Sequence, residues 1–232
     1  MNKLAVFVEG FTEILFVEKL IEEIAGQNKV LIEQRAIRGG SNTPRSMRII
    51  KAARPNTGQS YYVLLFDCGG DEAVKTRILE EHANLTRSGY SRIIGVRDVR
   101  PNFTYTDIPK LARGLSTYIK TSLILVSFIL SIMEIEAWFL AEVTHYSRID
   151  PTITLAAIRE KLGFDPENGD MERRPDPAKD LNDCYALAGK SYQKGKRTTV
   201  DALDYALVYM HLTNKFSYLK RLTFLIDTFL AG

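Results

Sequence analysis

Leu4-Ala5-Val6-Phe7-Val8-Glu9-Gly10-Phe11-Thr12-Glu13-Ile14-Leu15-Phe16-Val17 changes its hydrophobic rhythm halfway along. Five apolar residues run without a break, as in a strand buried on both faces. Beyond Gly10, apolar residues return at three- and four-residue intervals (Phe11, Ile14, Leu15, Val17, Leu20, Ile21, Ile24) with Glu18, Glu22 and Glu23 opposite, which is a helical period. A buried strand running straight into an amphipathic helix is the first half of a β-α-β unit. The expected class is therefore α/β, a mostly parallel sheet flanked by helices.

Working outward, the same alternation recurs. Val30 to Ile37 reads as a second strand, and Gly39-Gly40-Ser41-Asn42-Thr43-Pro44 as a turn that opens a basic helix over Arg45 to Arg54, ended by Pro55. Tyr61 to Phe66 is a third strand, followed by Asp67-Cys68-Gly69-Gly70-Asp71 and a helix carrying Val74, Ile78, Leu79 and Leu85. Ile93 to Val96 is a fourth strand that delivers Asp98. Pro101 to Pro109 reads as a loop, and Leu123 to Ser131 as another buried strand. Beyond Glu134 the pattern is helical throughout: 134–143, 152–162, 178–188, 200–212 and 216–229. The expected organisation is an α/β domain over 1–132 and an α-helical extension over 133–232, with no internal repeat.

Composition narrows the function classes. With 45% hydrophobic and 25% charged residues in 232, the chain has the balance of a folded globular protein. Lys and Arg number 31 against 28 Asp and Glu, so a basic footprint for nucleic acid has to be local. The two cysteines, Cys68 and Cys184, suggest neither a disulfide framework nor a zinc site, and a reducing cytoplasm suits them. The longest uncharged run, Thr121 to Met133, is 13 residues, short of the ~20 that cross a bilayer, so no membrane partner is expected. The N-terminal apolar run meets Glu9 too soon for a signal peptide. No Gly-x-x-x-x-Gly-Lys-Ser/Thr loop is present.

Three acids share one context. Glu9 follows the first strand, Asp67 the third, and Asp98 ends the fourth. Parallel strands present their carboxyl ends at one edge, where open α/β folds bind ligands. Glu13 and Asp71 each follow four residues after an acid of that set. Carboxylates gathered this closely raise one another's pKa unless cations neutralise them. With oxygen ligands and no His or Cys nearby, Mg²⁺ or Mn²⁺ is the expected ion, and phosphodiester chemistry follows. Each acid alone has a plainer reading as a helix-start or turn residue. Two basic clusters are candidates for phosphate contact: Arg38, Arg45 and Arg48 near the Gly39-Gly40 turn, and Tyr192, Lys194, Lys196 and Arg197. Arg97 and Arg100 are alternative salt-bridge partners for Asp98. Glu134, Glu136 and Glu142 read as the solvated or capping side of a helix whose Ile135, Trp138 and Phe139 point inward, with Glu136 a secondary site candidate.

Val8-Glu9-Gly10-Phe11-Thr12-Glu13, Phe66-Asp67-Cys68-Gly69-Gly70-Asp71 and Asp98 together resemble a Toprim domain, the fold of primases, topoisomerases and OLD-family nucleases. The resemblance implies a first-strand glutamate, Glu9, acting as general acid or base, Mg²⁺ held by Asp67 and Asp98, and Glu13 as the second acid of the primase version. Met133 to Glu142 with Tyr192-Gln193-Lys194 is similar to small bacterial Toprim-like proteins, some encoded beside ATPases in phage-defence loci. The implied activity is a Mg²⁺-dependent nuclease acting on DNA or RNA, in anti-phage defence with an ATPase partner. In place of an Asp-x-Asp pair the chain has Asp67 and Asp71 around Gly69. That departure carries the alternative, a catalytically degenerate binding or regulatory subunit docking on an ATPase. Homo-oligomerisation is left open.

Overall fold

The innermost strand is β1 (Asn2–Val8), whose residues Leu4 to Val8 have no exposed surface. The computed structural model describes residues 1–26, 29–40, 43–54, 58–70 and 72–232. After β1 come α1 (Phe11–Ala25), β2 (Val30–Arg38), β3 (Ser46–Lys51), β4 (Tyr61–Asp67), α2 (Ala73–Arg87), β5 (Arg92–Asp98), α3 (Ile108–Ser116) and β6 (Leu125–Ser131). The strands form one sheet in the order β3-β2-β4-β1-β5-β6, parallel throughout except where β3 pairs antiparallel with β2. The expected α/β class is thus the observed one. The helices that follow are α4 (Glu136–Ala141), α5 (His145–Ile149), α6 (Leu155–Leu162), α7 (Pro177–Ala186), α8 (Arg197–Ala202), α9 (Tyr205–Met210) and α10 (Ser217–Ala231).

The two-residue period of the strands divides the core. Leu4, Val6, Val8, Val63, Leu65, Ile94, Val96 and Ile129 face α1 and the C-terminal helices, whereas Ala5, Phe7, Leu64, Phe66 and Ile93 face α2. Phe16 of α1 shows how tightly the two halves of the chain are joined: its ring meets Trp138, Phe139 and Tyr205 at centroid distances of 5.8, 5.4 and 5.7 Å. Tyr61 of β4 likewise donates its hydroxyl to the Leu230 carbonyl and packs edge-on against Phe229 of α10. One continuous core therefore runs from β1 to α10 across residue 132. Trp138 lies in it, as expected, with its indole N–H donated to Glu172 at 3.2 Å. Among the described residues no helix is long and apolar enough to cross a membrane.

Several local expectations need correction. The basic stretch read as a helix over Arg45 to Arg54 is the edge strand β3. Its β-branched pair Ile49-Ile50 suits a strand, and β2 would otherwise leave its outer backbone groups unpaired. Pro55, read as the end of that helix, lies outside the described residues, as do Ser41 and Asn42 of the preceding turn. The loop from Pro101 gives way to a 3-10 turn at Tyr105–Asp107 and then to the unforeseen α3, which carries Pro109 in its first turn. The single helix read over 200–212 is two, because the Asp204 carboxylate accepts from the Leu207 N–H and caps a new start. Glu18 is not on a solvated face; it is buried and bonded to Lys51 of β3 at 2.5 Å.

Gly95 sits where β5 is packed closely between α2 and β6. A Cβ there would stand 2.7 Å from Ile78 Cδ1 of α2 and 2.8 Å from Phe128 Cδ1 of β6, closer than carbon atoms approach. Gly95→Ala is expected to lower the unfolding free energy by about 1–3 kcal/mol, seen as a lower urea midpoint at unchanged slope.

Candidate functional site

The end of β1 organises the site. The main-chain carbonyl of Glu9 accepts from the N–H groups of both Gly69 and Gly70, at 3.0 and 2.9 Å, and its carboxylate Oε1 accepts from the Asp98 N–H at 2.7 Å. One residue therefore ties β1 to the ends of both flanking strands, β4 and β5. The turn after β4 can reach the Glu9 carbonyl because Gly69 and Gly70 take φ of +80° and +135°, which side chains with a Cβ rarely adopt. A Cβ on Gly69 would also stand 3.1 Å from the Arg38 guanidinium.

Glu9, Glu13, Asp67 and Asp98 line a single open cleft of about 430 Å³, together with Arg38, Arg100, Glu134, Lys194 and the Gly69-Gly70 turn. The expected convergence of strand-end acids is what the parallel register produces: Val8 lies opposite Asp67, and Asp98 opposite Ser131. Asp71 lies outside the described residues. Glu13 sits in the first turn of α1, where its carboxylate accepts from the Gly10 N–H at 3.0 Å.

The acids differ in how their charge is met. Asp67 accepts from the Arg38 guanidinium at 2.6 Å through Oδ2 and from the Gly69 N–H at 3.0 Å through Oδ1. Asp98 is buried, and its Oδ1 has no hydrogen-bond partner among the described residues. Burial, then the charges of Glu13 and Glu136, push its carboxyl well above the ordinary aspartate range. Burial and then Glu136 hold the Glu13 carboxyl at about 7. Arg97 and Arg100 were candidate partners for Asp98, but neither pairs with it. Arg100 bonds Asp176 at 2.8 Å and approaches Glu134 at 3.7 Å, and Arg97 lies over the Phe103 ring.

The helical half of the chain supplies the rest. Glu136, read as a solvated or capping residue and kept as a secondary site candidate, is fully buried, and its charge acts on Asp98 and Glu13. Its Oε1 accepts from the Tyr192 hydroxyl at 2.6 Å, while its Oε2 has no partner among the described residues. Lys194 bonds Glu134 at 2.9 Å and stands 3.7 Å from Glu136. Partial loss of water works against the Lys194 charge, yet Glu136 and Glu134 outweigh it and hold the ammonium above the ordinary lysine range. The neighbouring Gly195 N–H donates to Thr12 Oγ1 at 2.7 Å and so pins this segment to the start of α1. Tyr192 is thus held behind the cleft by Glu136, its ring edge-on to Tyr185, and is not a free stacking platform.

The other basic candidates are scattered. Arg45 is engaged by Glu80 and Glu81 of α2, Arg48 lies exposed on β3, Lys196 is exposed beyond the cleft rim, and Arg197 stands 3.9 Å from Glu18. Of the clusters read from sequence, only Arg38 and Lys194 line the cleft. Glu134 and Thr12 escaped the sequence reading as site residues. Glu134 had a signal available, since it follows β6 as Glu9 follows β1. Glu142 is a capping residue as expected, accepting from the N–H groups of Thr144, His145 and Asp204. Cys68 is buried and burial pushes its thiol up, so it offers no thiolate.

The donor set is oxygen only, and Asp98, whose buried Oδ1 has no partner among the described residues, lines the cleft with Glu9, Glu13 and Asp67, which suits a hard divalent cation in chemistry. Among the described residues, however, no three His, Cys, Asp or Glu side chains already stand at metal-holding distance. Lys194 and Arg38 supply the positive charge instead. Compared with known proteins, the chain matches no family model, no curated protein and no solved structure.

A raised carboxyl pKa means that the folded chain keeps a proton the unfolded chain has released. The Glu13 contribution is therefore complete below pH 4.5 and is lost as pH rises to about 7. The urea midpoint is expected to fall across that interval, and Glu13→Gln, which keeps the cap, is expected to flatten part of the fall. An unchanged slope in the variant would show that Glu13 is not the group titrating there.

Proposed function

We propose that the chain is a Toprim-like, Mg²⁺- or Mn²⁺-dependent nuclease that hydrolyses phosphodiester bonds of DNA or RNA. The observation that carries this reading is the meeting of Glu9, Asp67 and Asp98, from three neighbouring strand ends, in one open cleft with an unpartnered Asp98 oxygen. Asp98, Asp67 and Glu9 would hold the ion, with Glu136 behind them. When bound, a divalent ion supplies charge neutralisation at the scissile phosphate and activation of water.

The chain's own groups account for the remaining needs. Glu13, with its carboxyl near 7, can both take and return a proton at neutral pH, which suits a general acid-base group. Glu9 is the alternative proton carrier, placed by its bond to the Asp98 N–H. Lys194 and Arg100 on the cleft lining would meet non-bridging phosphate oxygens, as would Arg38 on release from Asp67. Phosphate contacts of this kind position a backbone without reading its sequence.

A second reading is favoured by one observation: Arg38 already neutralises Asp67, and Lys194 stands 3.7 Å from Glu136, behind the acids that a metal would need. On that reading the cleft works without metal, and the protein is a binding or regulatory subunit that docks on a partner ATPase.

Incubation with labelled DNA and RNA separates the two. Mn²⁺-dependent cleavage is expected, stopped by chelator and reduced at least ~100-fold in Glu9→Gln, Asp67→Asn and Asp98→Asn. Intact substrate with every ion tried would favour the docking subunit. Calorimetry gives an independent readout: Lys194→Gln removes the resident positive charge and is expected to tighten Mn²⁺ binding roughly tenfold, since a charge pair at this range is worth on the order of 1–2 kcal/mol. Unchanged or weaker Mn²⁺ binding in that variant would show that Lys194 does not compete for the acids.

A further inference from the structure

The sheet ends at β6, and among the described residues nothing pairs with its outer edge. Natural sheets guard such edges with charges, prolines or bulges. Over its first four residues this one has none of these: Leu125-Val126-Ser127-Phe128 is uncharged and Leu125 is 60% exposed, whereas Ile129, Leu130 and Ser131 are buried. Beside it runs a groove of about 450 Å³, separate from the acidic cleft. Val126, Phe128 and Leu130 share one face of β6 and line the groove with Leu115 of α3 and Ile119 of the following loop, while Tyr218 reaches in from α10.

The charges at the rim select the occupant. Lys120 and Arg221 line the groove, no acid does, and neither cation has an ion-pair partner among the described residues. Residues 108–133 contain Lys110, Arg113 and Lys120 and not one Asp or Glu, and the adjoining stretch of α10 adds Lys220 beside Arg221. A second copy of this chain docked edge to edge would bring these cations against their own counterparts, which like-charge repulsion opposes. An oligonucleotide would leave the aliphatic lining unused. We propose that this groove is a docking site for an extended, acid-flanked apolar segment of a partner protein, which joins the edge of β6 at Leu125 to Phe128 as a seventh strand. Main-chain hydrogen bonds supply affinity, alternate apolar side chains fill the groove, and the flanking acids meet Lys120 and Arg221.

The test uses the full chain and a fluorescent pool of nine-residue peptides, Asp-Asp at each end and Val, Ile or Phe alternating with Thr or Ser between. Polarisation is expected to report binding that weakens roughly tenfold in the Lys120→Glu, Arg221→Glu double variant, whose exposed positions leave the fold intact. Hydrogen exchange of the 125–128 amides should slow when the pool binds. The proposal is overturned by absence of binding up to ~1 mM, the edge of what rim charges and one strand give. It is equally overturned by a Lys-Lys-flanked pool binding as well, by β6-dependent dimerisation, or by an oligonucleotide protecting 125–128 in place of the peptides.

Discussion

Glu9 is the residue on which the arrangement of the cleft depends. Its carbonyl holds the turn after β4 and its carboxylate holds the backbone at the end of β5, so two crossovers of independent sequence are fixed against one strand end. Such bonds are each worth only ~1–3 kcal/mol, the more so with a charged acceptor, but they are directional where hydrophobic burial is not. The sheet's core brings three strands side by side. Glu9 sets how their last residues face one another, and with them the spacing of Asp67 and Asp98.

That spacing creates an electrostatic problem that the protein solves from a distance. Asp98, Glu13 and Glu136 are buried together, and burial first pushes each toward its protonated form; neighbouring carboxylates add to the push, and Lys194 works the other way on all three. That opposing charge stands nearly two hundred residues after Glu9 in the chain, while Arg38 at the end of β2 meets Asp67. The cleft is thus a balance between carboxylates that prefer a proton or a cation and two basic side chains standing at its walls.

The sequence disclosed the sheet well because its signals are long and redundant: five apolar residues before Glu9, six β-favouring ones before Asp67, and a helical period after each. Strand-end position likewise made Glu9, Glu13, Asp67 and Asp98 legible. What it hid was tertiary. Arg45 to Lys51 carries both helix-compatible basic residues and Ile49-Ile50, and only the open edge of β2 decides between them. Glu136 reads as polar-face residue from its own helix, and its burial depends on Tyr192 and Lys194 arriving from elsewhere. The cation set was likewise ambiguous, since Arg38 and Arg45 look alike in sequence but one reaches Asp67 and the other α2.

The bond from Gly195 to Thr12 has a temporal consequence. The strands and acids of the first half emerge from the ribosome long before Lys194 exists, so a nascent chain can assemble its sheet while the cleft still lacks this counter-ion. The pocket is finished only once residues 192–195 have been made and have folded back on α1. Whatever the molecule does with phosphate or metal, a copy that stops short of Tyr192 is built without that counter-ion.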